Sequence, residues 1–155
     1  MLSFTIGAGK FHYRAAAIAI RDNRVMLCHF ARGGFYALPG GRVDFGETAA
    51  DAITREMNEE AGLEVAVERL VWVVENFFQL DGAPNHELGL YFIVHPIDPP
   101  QFDMEIRARE PDGEDLTITW MPLDVLASLN LKPAFLKTRL KSIPAGVELI
   151  VSDEL

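Results

Sequence analysis

The stretch Gly41–Leu63, with the sequence GRVDFGETAADAITREMNEEAGL, joins a glycine-rich loop to a helix and decides how the rest of the chain is interpreted. Thr48 is a favourable N-cap residue, and Asp51 completes an arrangement like a capping box. Gly62 stands where a C-cap glycine belongs. The stretch therefore predicts a helix from Thr48 to Ala61 with a loop before it.

Three carboxylates crowd one side of this predicted helix. At about 100° per residue, Glu56, Glu59 and Glu60 fall within a sector of roughly 100°, beside the apolar Ile53 and Met57. Like charges at this spacing destabilise a helix by a few tenths of a kcal/mol, so the cluster needs a physical reason. A hard divalent cation with oxygen ligands supplies one. A solvated acidic face is the alternative, since Glu is a strong helix former.

The spacing between the loop and the helix favours the metal interpretation. From Gly41 the chain runs through five residues to Glu47, and through seven more to REMNEEAGL. This pattern resembles the Nudix box at every fixed position, and a chance match is on the order of 10⁻¹⁰ per start point at ordinary residue frequencies. The matching residues are Gly41, Glu47, Arg55, Glu56, Met57, Glu59, Glu60, Gly62 and Leu63. The flanking FYALPGG and TWMPLDVL are also similar to the family.

The resemblance to Nudix hydrolases implies a fold and an activity. The implied fold is α/β (α+β): an α/β/α sandwich with a mixed β-sheet and a loop–helix–loop catalytic motif, in one domain over residues 1–155. The implied enzyme is a pyrophosphohydrolase in which water attacks phosphorus with Mg²⁺ or Mn²⁺ bound. Its implied substrate is a nucleoside diphosphate linked to another moiety, which covers nucleoside triphosphates, ADP-ribose-like sugar nucleotides and dinucleoside polyphosphates.

The same resemblance implies roles for the residues of the box. Metals neutralise the charge of a pyrophosphate and lower the pKa of a bound water. The implied metal ligands are the backbone carbonyl of Gly41 and the carboxylates of Glu56, Glu59 and Glu60. Arg55 and Glu47 are expected to orient the catalytic carboxylates from behind them. The residues expected to act in catalysis are thus Glu47, Arg55, Glu56 and Glu59, together with one carboxylate outside the box.

That further carboxylate is expected because family members often recruit one as a metal ligand or general base. The acidic segment 98–115 is predicted to be a long loop. Its candidate carboxylates are Glu110, Asp112, Glu114 and Asp115. We favour Glu114 as the catalytic residue, because it precedes Trp120 by an interval typical of the family.

Residues outside the box are also candidates for binding the substrate. Arg14 and Arg32 carry guanidinium groups that suit bidentate contacts with phosphate. Tyr36 can stack on a base, although loop packing is the alternative. Glu87 lies in a predicted strand on the same face as Gly89, where it can line a cleft or rival Glu114 as the extra carboxylate.

Alternating and apolar runs predict the remaining elements. Strands are expected at residues 13–20, 25–30, 65–80, 86–95, 116–121 and 147–151. Helical segments are expected at residues 123–129 and 133–142, and residues 31–47 are predicted to be a loop. Strands mixed with few helices favour a sandwich of three layers.

Composition restricts the partners of the protein. The formal net charge of −9 disfavours nucleic acid polymers, which need a basic surface. A small phosphorylated substrate is compatible with this charge, because a bound divalent cation reverses the local field. The early apolar run 15–20 is too short for a signal peptide or a membrane span, and the single Cys28 forms no intrachain disulfide. We therefore expect a cytoplasmic protein without a membrane partner, and the resemblance adds a homodimer, which is common in the family.

Two other functions compete with hydrolysis. A Nudix-like domain can bind and sense a nucleotide metabolite without turnover, but a sensor has no need for a complete set of metal-binding carboxylates. Isomerisation of a prenyl diphosphate is known on this fold and calls for a cysteine in the pocket. Cys28 lies in a predicted early strand, and the intact box favours hydrolysis.

Overall fold

The computed structural model describes residues 1–155, which form eleven strands in two sheets. The first sheet has the order β1 (Ser3–Ile6), β2 (Gly9–Ile18), β8 (Ala83–Pro96), β7 (Val65–Leu80) and β11 (Glu148–Glu154), with β6 (Gly40–Arg42) paired to β2. Strand β2 is parallel to β8 and β11 is parallel to β7, whereas the other pairs are antiparallel. The sheet is therefore mixed, as expected.

The second sheet is antiparallel. Its order is β3 (Ile20–Arg21), β4 (Arg24–Phe30), β10 (Asp115–Pro122) and β9 (Glu105–Arg109), with β5 (Phe35–Ala37) paired to β4. One residue separates β2 from β3, so the chain passes directly from the first sheet to the second. The start of the box lies against β2 just before this junction, through the pairing of β6 with β2.

The helices cover the sheets from two sides. They are α1 (Ala49–Ala61), a 3₁₀ helix (Leu123–Ser128) and α2 (Leu136–Arg139). One buried cluster joins α1, through Ile53 and Met57, to the odd-numbered alanines of β2. The other joins Trp72 of β7 to Leu126 and Leu136 on the opposite side. The expected α/β/α arrangement of layers is confirmed. No helix is long and apolar enough to span a membrane.

Local signals placed α1 correctly. The Thr48 hydroxyl accepts a hydrogen bond from the backbone N–H of Asp51 at 3.1 Å, which caps the first turn. Gly62 adopts φ 63°, and its N–H donates to the carbonyl of Asn58. The backbone N–H of Leu63 donates to Met57, so the helix ends in a Schellman motif.

Four parts of the sequence-based assignment are corrected. The segment 98–115 is not one long loop, because β9 lies within it and pairs with β10. In β9, the half-buried Ile106 and Ala108 alternate with exposed charged residues, which is the pattern of an edge strand. The loop 31–47 contains β5 and β6, and β1 was missed at the start of the chain. The helical segment 133–142 contains only four residues of regular helix.

Candidate active site

The loop of the box packs against β2 and α1 through two glycines that leave no room for a side chain. Gly40 has φ +148°, and a Cβ there would overlap the backbone of Ala15 on β2. A Cβ at Gly41 would overlap the carboxylate of Glu56. The structure therefore brings the backbone of Gly41 and the carboxylate of Glu56 together, as the implied metal site requires.

Arg55 links the loop to the helix through most of its donors. Its Nε and Nη2 donate to the two oxygens of Glu47 at 2.8 and 3.0 Å, which is a bidentate pair. Its Nη1 donates to Glu56 at 2.8 Å and to Glu59 at 3.3 Å, and Nη2 also donates to the carbonyl of Arg42 at 3.1 Å. Arg55 thus fixes the position of Glu56, and it also contacts the more exposed carboxylate of Glu59.

The Arg55–Glu47 pair stays ionised. The hydrogen bonds from Arg55 lower the pKa of Glu47, and the bonds to Glu47 raise the pKa of Arg55. Glu47 also accepts a hydrogen bond from the backbone N–H of Asp44 at 2.9 Å. Glu47 therefore stabilises the conformation of the loop and also links the loop to α1. These contacts fit the orienting role that the resemblance implies for the pair.

Glu60 meets a carboxylate from the second sheet. Its carboxyl group lies within hydrogen-bonding reach of Glu110, which directly follows β9. Burial, followed by the negative charges of Glu110 and Glu56, raises the pKa of Glu60 to about 8. Burial also raises the pKa of Glu110. The two carboxyl groups therefore share a proton near neutral pH when no cation is bound.

Arg14 of β2 is the cation whose charge acts on both members of this carboxylate pair. Its Nη2 donates to the carbonyl of Leu38 at 3.0 Å. Burial acts to lower the pKa of Arg14, but the charge of Glu87, assisted by Tyr91 and Glu60, raises it overall. The guanidinium is thus charged and under the influence of the acidic Glu87 and Glu60, which suits a phosphate-binding residue.

Glu114 makes a different contact from the one expected of it. Its Oε1 accepts a hydrogen bond from the backbone N–H of Arg32 at 3.1 Å, so it joins the turn after β9 to the turn after β4. The Arg32 side chain points to Asp112 at 3.6 Å and is largely exposed. The structure brings Glu110 to the box carboxylates, whereas Glu114 and Arg32 lie together in the neighbouring loops.

The remaining candidates lie on the first sheet and in the loop before the box. Glu87 on β8 accepts a 3.5 Å hydrogen bond from Asn76 of β7, a buried residue that the sequence analysis missed. The Tyr36 ring packs against His29 in a tilted arrangement with ring centroids 4.6 Å apart, and its backbone pairs with that of Leu131. The packing of Tyr36 accounts for its position without a ligand. No sequence signal distinguishes Asn76, because its burial depends on the pairing of β7 with β8.

The carboxylate oxygens of the site suit a hard divalent cation whose remaining ligands are water molecules or substrate phosphate. No three His, Cys, Asp or Glu side chains form a preformed metal cage. Mg²⁺ usually needs only one or two carboxylates, because waters and substrate phosphates complete its octahedron. The proton shared by Glu60 and Glu110 is what a bound cation would displace, since ligands must be deprotonated. The oxygen-only set of Glu56, Glu59, Glu60 and Glu110 therefore fits Mg²⁺ or Mn²⁺.

Comparisons with known proteins all indicate the same family. The NUDIX domain family matches residues 10–143. A protein of Mycobacterium tuberculosis named putative 8-oxo-dGTP diphosphatase 3 is 31% identical, with 92% of this chain and 68% of that protein aligned. The ADP-ribose pyrophosphatase of Methanocaldococcus jannaschii is 36% identical over 50% of this chain and 46% of its own length.

The fold also has a close counterpart among solved structures. The crystal structure of an ADP-ribose pyrophosphatase from Streptococcus suis superposes with a TM-score of 0.60, covering 91% of this chain and 98% of that one. Its 18% identity supports a shared fold only. Together, the matched family, the relatives and the assembled box show that the chain belongs to the Nudix family of hydrolases.

Proposed function

We propose that this chain hydrolyses the phosphoanhydride bond of a nucleoside triphosphate, with Mg²⁺ or Mn²⁺ held by the carboxylates of α1 and by Glu110. The observation that carries the proposal is the Glu60–Glu110 pair, which joins a box residue to a carboxylate of the second sheet beside Arg14. Such a cluster of acids is costly without a cation, because like charges close together are hard to ionise.

The residues of the chain have distinct parts in this reaction. Glu56, Glu59, Glu60 and Glu110 would hold the cation, and the backbone of Gly41 lies against the carboxylate of Glu56. When bound, the cation screens the phosphate charges and lowers the pKa of the attacking water. Arg55, fixed by Glu47, keeps Glu56 in place, and Arg14 binds a phosphate oxygen. A carboxylate of the cluster then accepts the proton of the water, and we assign this role to Glu59, the exposed member.

Two substrate classes have support. The relative aligned over 92% of this chain is named for 8-oxo-dGTP, which favours a nucleoside triphosphate. The relative aligned over half the chain is named for ADP-ribose, so a sugar nucleotide is the second candidate. Sensing without turnover is the remaining alternative, and it predicts binding of one of these nucleotides with no product formed.

A substrate panel in ¹⁸O-labelled water tests the proposal. Purified protein is incubated with dGTP, 8-oxo-dGTP, ADP-ribose and a dinucleoside polyphosphate, each with Mg²⁺, Mn²⁺ or a chelator. We expect a nucleoside triphosphate to give a monophosphate and pyrophosphate, with one labelled oxygen in the products and no turnover in chelator. Efficient cleavage of ADP-ribose alone would show that the substrate is a sugar nucleotide. Tight binding of a nucleotide without any product would show that the protein senses the nucleotide and does not hydrolyse it.

A further inference from the structure

The edge of the first sheet at β1 is open and uncharged. Strand β1 pairs with β2 on one side and has no strand on its other side. Its four residues, SFTI, include no charged side chain, and Phe4 and Ile6 are 53% and 70% exposed. An apolar edge strand of this kind is a template for pairing with another chain, and soluble proteins usually protect such edges.

The other sheet edges have such protection. Strands β9 and β11 carry charged residues, and β3 is only two residues long. Strand β5 is covered by residues 130–132, because Tyr36 exchanges backbone hydrogen bonds with Asn130 and Lys132. The edge at β1 is therefore the one that invites a partner.

The backbone of β1 presents unused hydrogen-bonding groups at this edge. The N–H of Tyr13 donates to the carbonyl of Leu2 at 3.0 Å. Residues that bond to the neighbouring strand alternate along an antiparallel ladder, so the backbone groups of Phe4 point to β2. Those of Ser3 and Thr5 consequently point away from β2, toward the open edge.

Two copies of β1 satisfy these groups when they pair antiparallel about Phe4. Ser3 of each copy then lies opposite Thr5 of the other, and the two residues exchange N–H and carbonyl hydrogen bonds. The Ser3 N–H can join this pairing, because it otherwise donates only to the carbonyl of Met1, two residues before it, at 3.1 Å. The two Phe4 residues form the intervening pair, whose Cα atoms lie about 4.5 Å apart and whose side chains are therefore close.

The side chain of Phe4 also ends a row of aromatic rings that crosses four strands. Phe4 stacks on Phe11 with centroids 5.1 Å apart, Phe11 meets His86 edge-on at 5.3 Å, and His86 lies 4.4 Å from Phe77. At β7 the row is followed by β11, whereas at β1 half of Phe4 is exposed. Self-pairing of β1 joins the rows of two copies, and aromatic cross-strand pairs stabilise antiparallel strands.

The charge distribution favours a second copy at this edge. Each chain has a formal net charge of −9, so two copies repel each other unless they meet where acidic residues are few. The first nine residues contain no acidic side chain. Antiparallel pairing also places the turn before Lys10 of one copy alongside the loop of the box in the other, because the Leu2 N–H donates to the carbonyl of Val43. The exposed Lys10 then approaches Asp44 of the other copy, next to Phe45, which is 92% exposed.

From these observations we propose that β1 is the interface of a symmetric dimer of this chain, in which the first sheets of two copies join into one. The contact uses the same strand on both copies, so pairing closes both open edges and assembly stops at two. The interface borders the loop that carries Glu47, although the proposal does not depend on the reaction.

Sedimentation equilibrium of the whole chain, from nanomolar to high micromolar concentration, tests the proposal. We expect the wild type to be a dimer at micromolar concentration. Ile6→Lys puts a charge into the apolar contact and should raise the dimer Kd at least about 10-fold. Thr5→Pro removes an N–H that points to the open edge, where an edge strand tolerates proline, and should also raise the Kd at least about 10-fold.

A matched variant on the opposite edge of the sheet is the control. Val151 on β11 is 62% exposed, much like Ile6, and Val151→Lys should keep the wild-type Kd. Thermal unfolding at a dilution at which every variant is monomeric confirms that each one is folded. A wild type that is monomeric at every concentration would overturn the inference. So would an unchanged Kd in Ile6→Lys or in folded Thr5→Pro, or a dimer that Val151→Lys weakens as much as Ile6→Lys does.

Discussion

At the scale of single residues, the candidate site depends on which carboxylate approaches the box from outside. Glu110 and Glu114 are close in sequence, yet only Glu110 lies beside Glu60. The turn between β9 and β10 directs them apart: the backbone N–H of Glu110 donates to the carbonyl of Glu114, and Gly113 adopts φ +89°. The acidic composition of this segment was visible in the sequence, but the direction of each side chain depends on the register of the hairpin.

The two carboxylates should therefore differ in their effect on catalysis. Glu110→Gln removes a charge beside the box, and we expect kcat to fall by at least about 10²-fold, as for the loss of one electrostatic contact to the transition state. Glu114→Gln only weakens a contact with the Arg32 backbone and should lower kcat by less than about 10-fold. Steady-state kinetics with saturating Mn²⁺ measures both variants. A larger loss of kcat in Glu114→Gln than in Glu110→Gln would show that Glu114 is the outside carboxylate that acts with the box.

The proton shared by Glu60 and Glu110 predicts how stability depends on pH. The pKa of Glu60 is raised to about 8 in the folded chain, so the native state binds more protons than the unfolded state between the ordinary pKa of Glu and about 8. The metal-free protein should therefore lose stability as pH rises through this range.

Urea unfolding in chelator at several pH values between about 5 and 9 measures this slope, a range set by the ordinary and raised pKa of Glu60. Glu60→Gln should flatten the slope. Glu64→Gln is the control, because Glu64 is exposed just beyond the helix and has no such neighbour. A slope that is equally steep in Glu60→Gln would show that the proton is held elsewhere.

At the scale of helices and strands, an element is predictable from the sequence when the residues that determine it lie close together in the chain. The ends of α1 were predicted because Thr48 and Gly62 act within one turn of the helix. The edge strand β9 was missed because it exists through pairing with β10, and its charged residues and flanking prolines are typical of a loop. For the same reason β5 and β6, each three residues long, could not be recognised from their own sequence.

The cap of α1 gives a prediction at this scale. Thr48→Ala removes the acceptor for the Asp51 N–H and should destabilise the protein by about 1 kcal/mol, because an orphaned helix donor loses its partner. For a chain of this length, Tm should fall by roughly 2–4 °C per kcal/mol. Thr54→Ala, in the exposed middle of the same helix, should leave Tm unchanged or slightly higher, since Ala is the better helix former. Equal losses in both variants would contradict the capping account.

At the scale of the whole molecule, the site is assembled from residues of both sheets and of α1. The box is held by β6 against β2, Glu110 comes from the hairpin of the second sheet, and Arg14 and Glu87 come from the first. The resemblance to the family therefore predicted the architecture and the box, which depend on one contiguous stretch. It could not specify Glu110 or Asn76, because long-range pairing decides which side chains from other strands meet the box.

The central claim is that the acids of α1 act on the substrate through a divalent cation. The most direct measurement is kcat for the best nucleotide with Mg²⁺, with Mn²⁺ and in chelator, for the wild type, Glu59→Gln, Glu60→Gln and the control Glu64→Gln. We predict no wild-type turnover in chelator, a loss of on the order of 10³-fold in Glu59→Gln and Glu60→Gln, and near-normal turnover in the control. Undiminished turnover in chelator, or near-normal kcat in both Glu59→Gln and Glu60→Gln, would contradict the claim.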